Sequence, residues 1–137
     1  MKIGVLGAGQ LGRMLALSAY PLGHQMSFLA LSEEDPSFLL GKTFIHNNDP
    51  EVVKKFASHS DVITYESENT DINIVNEINN MTSVYPNERS LFISQHRIRE
   101  KELLNKLGIP CAPYEIVNSL VDLEVAVKNI GLSLIHI

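Results

Sequence analysis

Three groups of residues in this chain have the types and spacing to hold a ligand. The first is Gly7-Ala8-Gly9-Gln10-Leu11-Gly12, set between the apolar run Ile3-Gly4-Val5-Leu6 and the helical pattern from Arg13 to Tyr20. Glycines let a backbone turn tightly off a strand and approach a ligand closely, and the helix that follows offers unpaired N–H groups and a positive dipole end to an anion. The turn is therefore expected to hold a phosphate-bearing molecule. It does not choose which one, because dinucleotide binders and unrelated nucleotide-fold proteins share these mechanics.

The second group is Tyr65-Glu66-Ser67-Glu68-Asn69, at the carboxyl end of a predicted strand and on the same edge as the glycine turn. Alternate residues of a strand point to one side, so Glu66 and Glu68 are expected to face a ligand together and accept hydrogen bonds from its hydroxyl or amino groups. The competing reading is a helix-entry loop with solvated acids. The third group is Arg97, Arg99, Glu100 and Lys101 on a charged helix. Taken alone, it reads as a solvent-facing surface laced by acid–base pairs one turn apart.

Other candidates carry less. Glu33, Glu34 and Asp35 follow the second predicted strand about 20 residues beyond the glycine turn, where a dinucleotide-binding protein places the carboxylate that holds the ribose hydroxyls. Three adjacent acids ahead of Pro36 also describe a solvated loop, the preferred reading, with a nicotinamide or flavin enzyme as the runner-up. The histidines at 24, 46, 59, 96 and 136 have no ligand spacing, so they are read as structural or surface residues and no metal site is expected. Cys111, the one cysteine, lies between Pro110 and Ala112 and reads as a small buried residue rather than a nucleophile.

The elements that must position these residues alternate. A helix from Arg13 ends at Pro21-Leu22-Gly23, and Met26 to Leu31 reads as a second strand, completing a βαβ unit. Thr43-Phe44-Ile45 is a short strand, and Asp49-Pro50-Glu51 opens a helix through Ser58 with Asp as N-cap and Pro in the first turn. Asp61 to Tyr65 is the next strand, Ile72 to Ile78 a short helix, and Val84-Tyr85 a last strand before Pro86. From Ser94 the texture changes to a charged amphipathic helix marked by Ile98, Leu103, Leu104 and Leu107 and stopped by Gly108. Ala112 to Val117 then reads as a strand, Ser119 caps a helix running to Ile130, and Leu132 to Ile137 reads as the start of another strand. The class is α/β. The expected domains are a nucleotide-fold unit over 1–94, a connector helix over 95–108 and the beginning of a second domain over 109–137.

Composition narrows the partners. With 137 residues, 45% hydrophobic and 20% charged, the chain is long enough for a real core. A formal charge of -5 without a basic block argues against a nucleic-acid surface. No signal-peptide pattern or long apolar span is visible, so no membrane partner is expected and cytoplasm is the default location.

Several segments together resemble one family: Gly7-x-Gly9-Gln10-Leu11-Gly12-Arg13-Met14, Asp61-Val62-Ile63-Thr64-Tyr65-Glu66-x-Glu68-Asn69, Gln95-x-Arg97-x-x-x-Lys101 and Gly108-Ile109-Pro110. From Met1 to about Leu132 the chain resembles the N-terminal part of 5-(carboxyamino)imidazole ribonucleotide synthases, ATP-grasp ligases of purine biosynthesis. The resemblance implies a parallel-sheet, Rossmann-like pre-ATP-grasp domain followed by the start of an ATP-grasp domain. It also implies a reaction in which bicarbonate is joined to aminoimidazole ribonucleotide with ATP and magnesium, through carboxyphosphate.

Carried over by position, Gly9, Gln10 and Leu11 line the aminoimidazole ribonucleotide site with Glu66 and Glu68 nearby, and Arg97 contacts ATP. No catalytic residue is assigned within this chain, and the family tends to form homodimers. Ser67 stands where many members have an aromatic residue, and His96 where an Asp commonly precedes the arginine. The family pattern stops at Ser133, in place of a proline, which motivates two expectations: Ser133 to Ile137 is not native sequence, and this chain alone, lacking the ATP-binding Lys, the Gly-rich loop and the magnesium carboxylates, is inactive. The alternative is part of a Rossmann-type NAD(P)-dependent oxidoreductase.

Overall fold

Four short apolar segments have no polar face and so must be covered on both sides, the condition that favours a parallel sheet with helices on each face. The computed structural model, which describes residues 1–47 and 49–131, has that arrangement. Strands β1 (Lys2–Leu6), β2 (Gln25–Ala30), β3 (Lys42–Ile45) and β4 (Val62–Tyr65) form one sheet in the order β3-β2-β1-β4, all parallel. Ile3 pairs with Met26 on one side and Val62 on the other, which brings the carboxyl ends Leu6, Leu29 and Tyr65 level at one edge.

Helix α1 (Gln10–Ala19) covers one face. Its inward stripe is Gly12, Ala16 and Ala19, and residues this small let the helix lie close over Val5, Met26, Phe28 and Ala30. Helices α2 (Pro50–His59), α3 (Ile72–Asn79) and α4 (Glu88–Ser94) cover the other face, where Leu6, Leu29 and Ile63 meet Phe56, Val75, Ile78 and Leu91. Gly4 is needed there. A Cβ on it would stand 2.6 Å from Ser60 Oγ and 2.9 Å from the Phe56 ring.

The caps expected from the sequence are present. Asp49 Oδ1 accepts from Glu51 N at 2.9 Å, with Pro50 as the first residue of α2. The last strand differs from its expectation: Val84 makes a single parallel bridge to Ile63 and no strand forms over Val84-Tyr85. The chain instead turns into α4, which the sequence reading passed over. Asn87 caps this helix, accepting from Ser90 N at 3.0 Å, and Leu91 anchors it, fully buried.

The chain divides into two compact units, Met1–Gln95 and His96–Ile137. Within the second, helix α5 (Arg97–Lys106) has no fully buried residue, and His96 leaves its first turn without a side-chain cap. Gly108, at φ +68, ends it as expected: Gly108 N donates to Asn105 O and Ile109 N to Leu104 O, the paired closing bonds of a helix stopped by a left-handed residue. Ala112 to Val117 is not a strand, contrary to expectation. An extended segment becomes one only by pairing, and no described residue of this unit offers it a strand edge. Cys111 is half-buried, its thiol donating to Asn105 Oδ1 at 3.4 Å. Helix α6 (Leu120–Ile130) is capped by Ser119, which accepts from Asp122 N at 3.1 Å, while Asp122 accepts from Asn118 N at 3.1 Å. Hydrogen bonds to the Asp122 carboxylate, from the Ser119 side chain first and then from Asn118 N, hold it below its ordinary range. The strand expected over Leu132 to Ile137, and with it the expectation about Ser133 to Ile137, lies outside the described residues.

Because Leu91 is the one buried anchor of a helix only 7 residues long, Leu91→Ala is expected to lower stability by about 2–5 kcal/mol. Urea denaturation of the two chains measures this.

Candidate functional site

The glycine turn leaves β1 at Leu6, and Gly9 is the N-cap of α1 with no side chain to offer its orphan N–H groups. A carboxylate from the end of β4 supplies the missing acceptors. Glu66 Oε1 accepts from Gly9 N at 3.1 Å and Glu66 Oε2 from Gly12 N at 2.7 Å, charge-assisted bonds at the positive end of the helix. The chain's own Glu66 thus stands in the turn where a phosphate-bearing molecule is expected from the sequence. A Cβ on Gly7, Gly9 or Gly12 would meet Glu66 oxygens at 2.6, 2.8 and 3.0 Å, so the glycines make room for that side chain.

The turn is held from its other side by Ser37. Its N–H donates to Ala8 O at 2.9 Å and its hydroxyl to Gly9 O at 3.0 Å, and its side chain is fully buried. Nothing in the pattern around Pro36-Ser37 distinguishes this serine from an ordinary loop residue, which is why sequence reasoning missed it. The acidic loop before it follows the solvated reading: Glu33 and Glu34 are not buried, and Asp35 is used locally, accepting from Leu31 N at 2.9 Å and Ser32 N at 3.2 Å.

The remaining candidates separate. Gln10 and Leu11 project from the first turn of α1 into solvent, Leu11 being 53% exposed. Strand alternation does not pair Glu66 with Glu68, because β4 ends at Tyr65 and the chain bends. Glu66 is half-buried against α1 and Glu68 is exposed. Both nevertheless border one depression of about 390 Å³, with Tyr65, Pro86, Ser90 and Ser94. Burial pushes the Tyr65 phenol above its ordinary value, so it stays a neutral hydroxyl beside the acids.

A second pocket of about 350 Å³ opens at the carboxyl edge of the sheet, lined in part by Leu6, Gly7, Leu29, His46, Glu66 and Asn69. In the unit that begins at His96, Arg97 pairs with Glu100 at 2.8 Å, is 82% exposed at its side chain, and borders a groove of about 680 Å³ with Lys101, Leu104 and Tyr114. Among the described residues no cluster of His, Cys, Asp or Glu could hold a metal ion, and no helix is long and apolar enough to cross a membrane.

Comparison with known proteins agrees with the parallel α/β fold. The family described as the ribonucleotide synthetase preATP-grasp domain matches residues 1–95. N5-carboxyaminoimidazole ribonucleotide synthase of Pseudomonas aeruginosa is 39% identical over 133 residues, covering 96% of this chain and 37% of that protein. The crystal structure of N5-carboxyaminoimidazole ribonucleotide synthetase from Thermus thermophilus superposes with a TM-score of 0.83 at 37% identity, covering 95% of this chain and 36% of that one. N5-carboxyaminoimidazole synthase from Aspergillus clavatus, solved with ADP and 5-aminoimidazole ribonucleotide, gives a TM-score of 0.79 at 32% identity over 95% of this chain and 36% of that one. The chain therefore spans between 36% and 37% of the length of these relatives.

Gly7 combines φ +102 with a Cβ position 2.6 Å from Glu66, whereas Gly23 has φ +73 and open space around it. Gly7→Ala is expected to cost about 2–4 kcal/mol and Gly23→Ala about 1 kcal/mol. The difference between their denaturation midpoints reads the crowding around Glu66.

Proposed function

This chain belongs to the ribonucleotide synthetase preATP-grasp family, and from that premise we propose that it is the N-terminal part of a ligase that carboxylates 5-aminoimidazole ribonucleotide. Bicarbonate and ATP are the other substrates, and the pathway is purine biosynthesis in the cytoplasm. The observation that carries this reading is the 39% identity to the Pseudomonas aeruginosa synthase, sustained over 133 residues and both units of the chain.

In this reading Gly9, Gln10 and Leu11 border the ribonucleotide. Gln10 offers an amide that can both donate and accept, Leu11 offers an apolar surface, and Gly9 lets the backbone come close. Glu68, exposed beside the depression it shares with Glu66, accepts from hydroxyl or amino groups of the substrate. Glu66 completes that wall while holding the turn. Arg97 and Lys101 border one groove together with Glu100 and Glu115, and are the two cations there that can meet the phosphates of ATP. The described residues do not fit the magnesium that the resemblance implies, so no step is assigned to a metal here. Residues 109–131 are taken as the opening of the ATP-grasp domain.

An NAD(P)-dependent oxidoreductase is not favoured. A dinucleotide would need its pyrophosphate in the glycine turn, where both carboxylate oxygens of Glu66 already accept hydrogen bonds.

Thermal denaturation of this chain with added aminoimidazole ribonucleotide or NADH separates the two readings. At about 100 times its dissociation constant, a ligand that binds only the folded state adds roughly 2.7 kcal/mol. Stabilisation by the ribonucleotide, lost in Gln10→Ala, is expected, with no ADP release from the chain alone when ATP and bicarbonate are present. Stabilisation by NADH instead would overturn the reading.

A further inference from the structure

We propose that Glu66 is a built-in anion. Its carboxylate takes the place in the Gly7–Gly12 turn that a ligand phosphate occupies at other helix N-termini, closes that place to phosphate, and sets the backbone from which Gln10 and Leu11 project.

The two oxygens are used separately, one by Gly9 N at 3.1 Å and one by Gly12 N at 2.7 Å, so the group spans the turn as an oxyanion would. The glycines are fitted to it. For Gly7 and Gly9 the nearest atoms to an added Cβ all belong to Glu66, and for Gly12 the nearest one does. Dinucleotide sites use glycines in such a turn to admit a pyrophosphate; here the same spacing admits a carboxylate supplied 57 residues later in the chain. With Ser37 bonded to Ala8 O and Gly9 O on the other side, the turn is fastened at both flanks. A second anion entering the turn would meet the Glu66 charge at contact distance and be repelled.

Glu66 is in this respect a positioning residue. It links the β1–α1 turn to the end of β4, so that Gln10 and Leu11 are held in a fixed relation to Glu68 two residues further on. Only this last point rests on the proposed ribonucleotide reading; the exclusion of phosphate does not.

The test uses the full chain and inorganic sulfate, with chloride at matched ionic strength as the control. In Glu66→Ala the vacated seat is expected to bind sulfate, seen as saturable thermal stabilisation that the unsubstituted chain lacks. Amide exchange at Gly9 and Gly12 should accelerate on the order of tenfold in that variant and slow again with sulfate. Glu66→Gln keeps the bulk without the charge, so it should show the faster exchange but no response to sulfate.

A folded Glu66→Ala with no gain in sulfate response overturns the proposal, as does an unsubstituted chain that sulfate stabilises equally. If Glu66→Ala does not fold, Glu66→Gln decides: faster exchange supports the built-in anion, and exchange equal to that of the unsubstituted chain overturns it. None of these readings involves aminoimidazole ribonucleotide, so failure here is distinct from failure of the proposed function.

Discussion

The first turn of α1 begins with glycine as its N-cap, and a glycine cannot satisfy the N–H groups that every helix start exposes. The Glu66 carboxylate, delivered by β4, satisfies two of them. Much of unit Met1–Gln95 follows from that constraint. The glycines at 7, 9 and 12 must lack side chains to admit the carboxylate. Tyr65 must pair level with Leu6 so that Glu66 arrives at the turn, and the parallel register of β4 on β1 provides this. Ser37 must fold back over Ala8 and Gly9, which shapes the loop between β2 and β3.

The same economy of space governs the packing beneath. α1 approaches the sheet through Gly12, Ala16 and Ala19, while α2 approaches through Phe56 and Ala57, with Gly4 leaving room for the Phe56 ring. The larger buried side chains, Phe56, Ile63, Ile78 and Leu91 among them, lie on the three-helix face. On the α1 face Phe28 is the largest fully buried side chain, with Val5 and Met26 beside it and alanines making up the rest of the buried cluster. Substitutions that add volume on the α1 face and those that remove it on the other are therefore the damaging ones.

The α/β class and the positions of these strands along the chain were legible because Ile3 to Leu6, Met26 to Ala30 and Val62 to Tyr65 are largely apolar runs separated by helical patterns. Asp49-Pro50 and Gly108 were legible because their effect is local. What escaped depended on partners distant in the chain. Val84-Tyr85 has strand composition, yet gains a single bridge to Ile63. Leu91 alone buries α4, and one apolar residue sets no period. At the site, the sequence identified the glycine turn and Glu66 as separate features on one edge. It could not reveal that each is the other's ligand, since a carboxylate 57 residues away carries no local sign of its target. Membership of the ribonucleotide synthetase preATP-grasp family over residues 1–95 then places this self-ligated turn in a known domain family.

The central claim is that Glu66 is hydrogen-bonded to the glycine turn in the folded chain. The most direct measurement is the scalar coupling across those hydrogen bonds, from the Gly9 and Gly12 amide nitrogens to the Glu66 side-chain carboxylate carbon, in isotope-labelled protein. The account predicts a resolved coupling at both glycines, larger at Gly12, whose bond is the shorter at 2.7 Å against 3.1 Å. Absence of coupling at both, with a Glu66 carboxylate that moves freely in solvent, would contradict it.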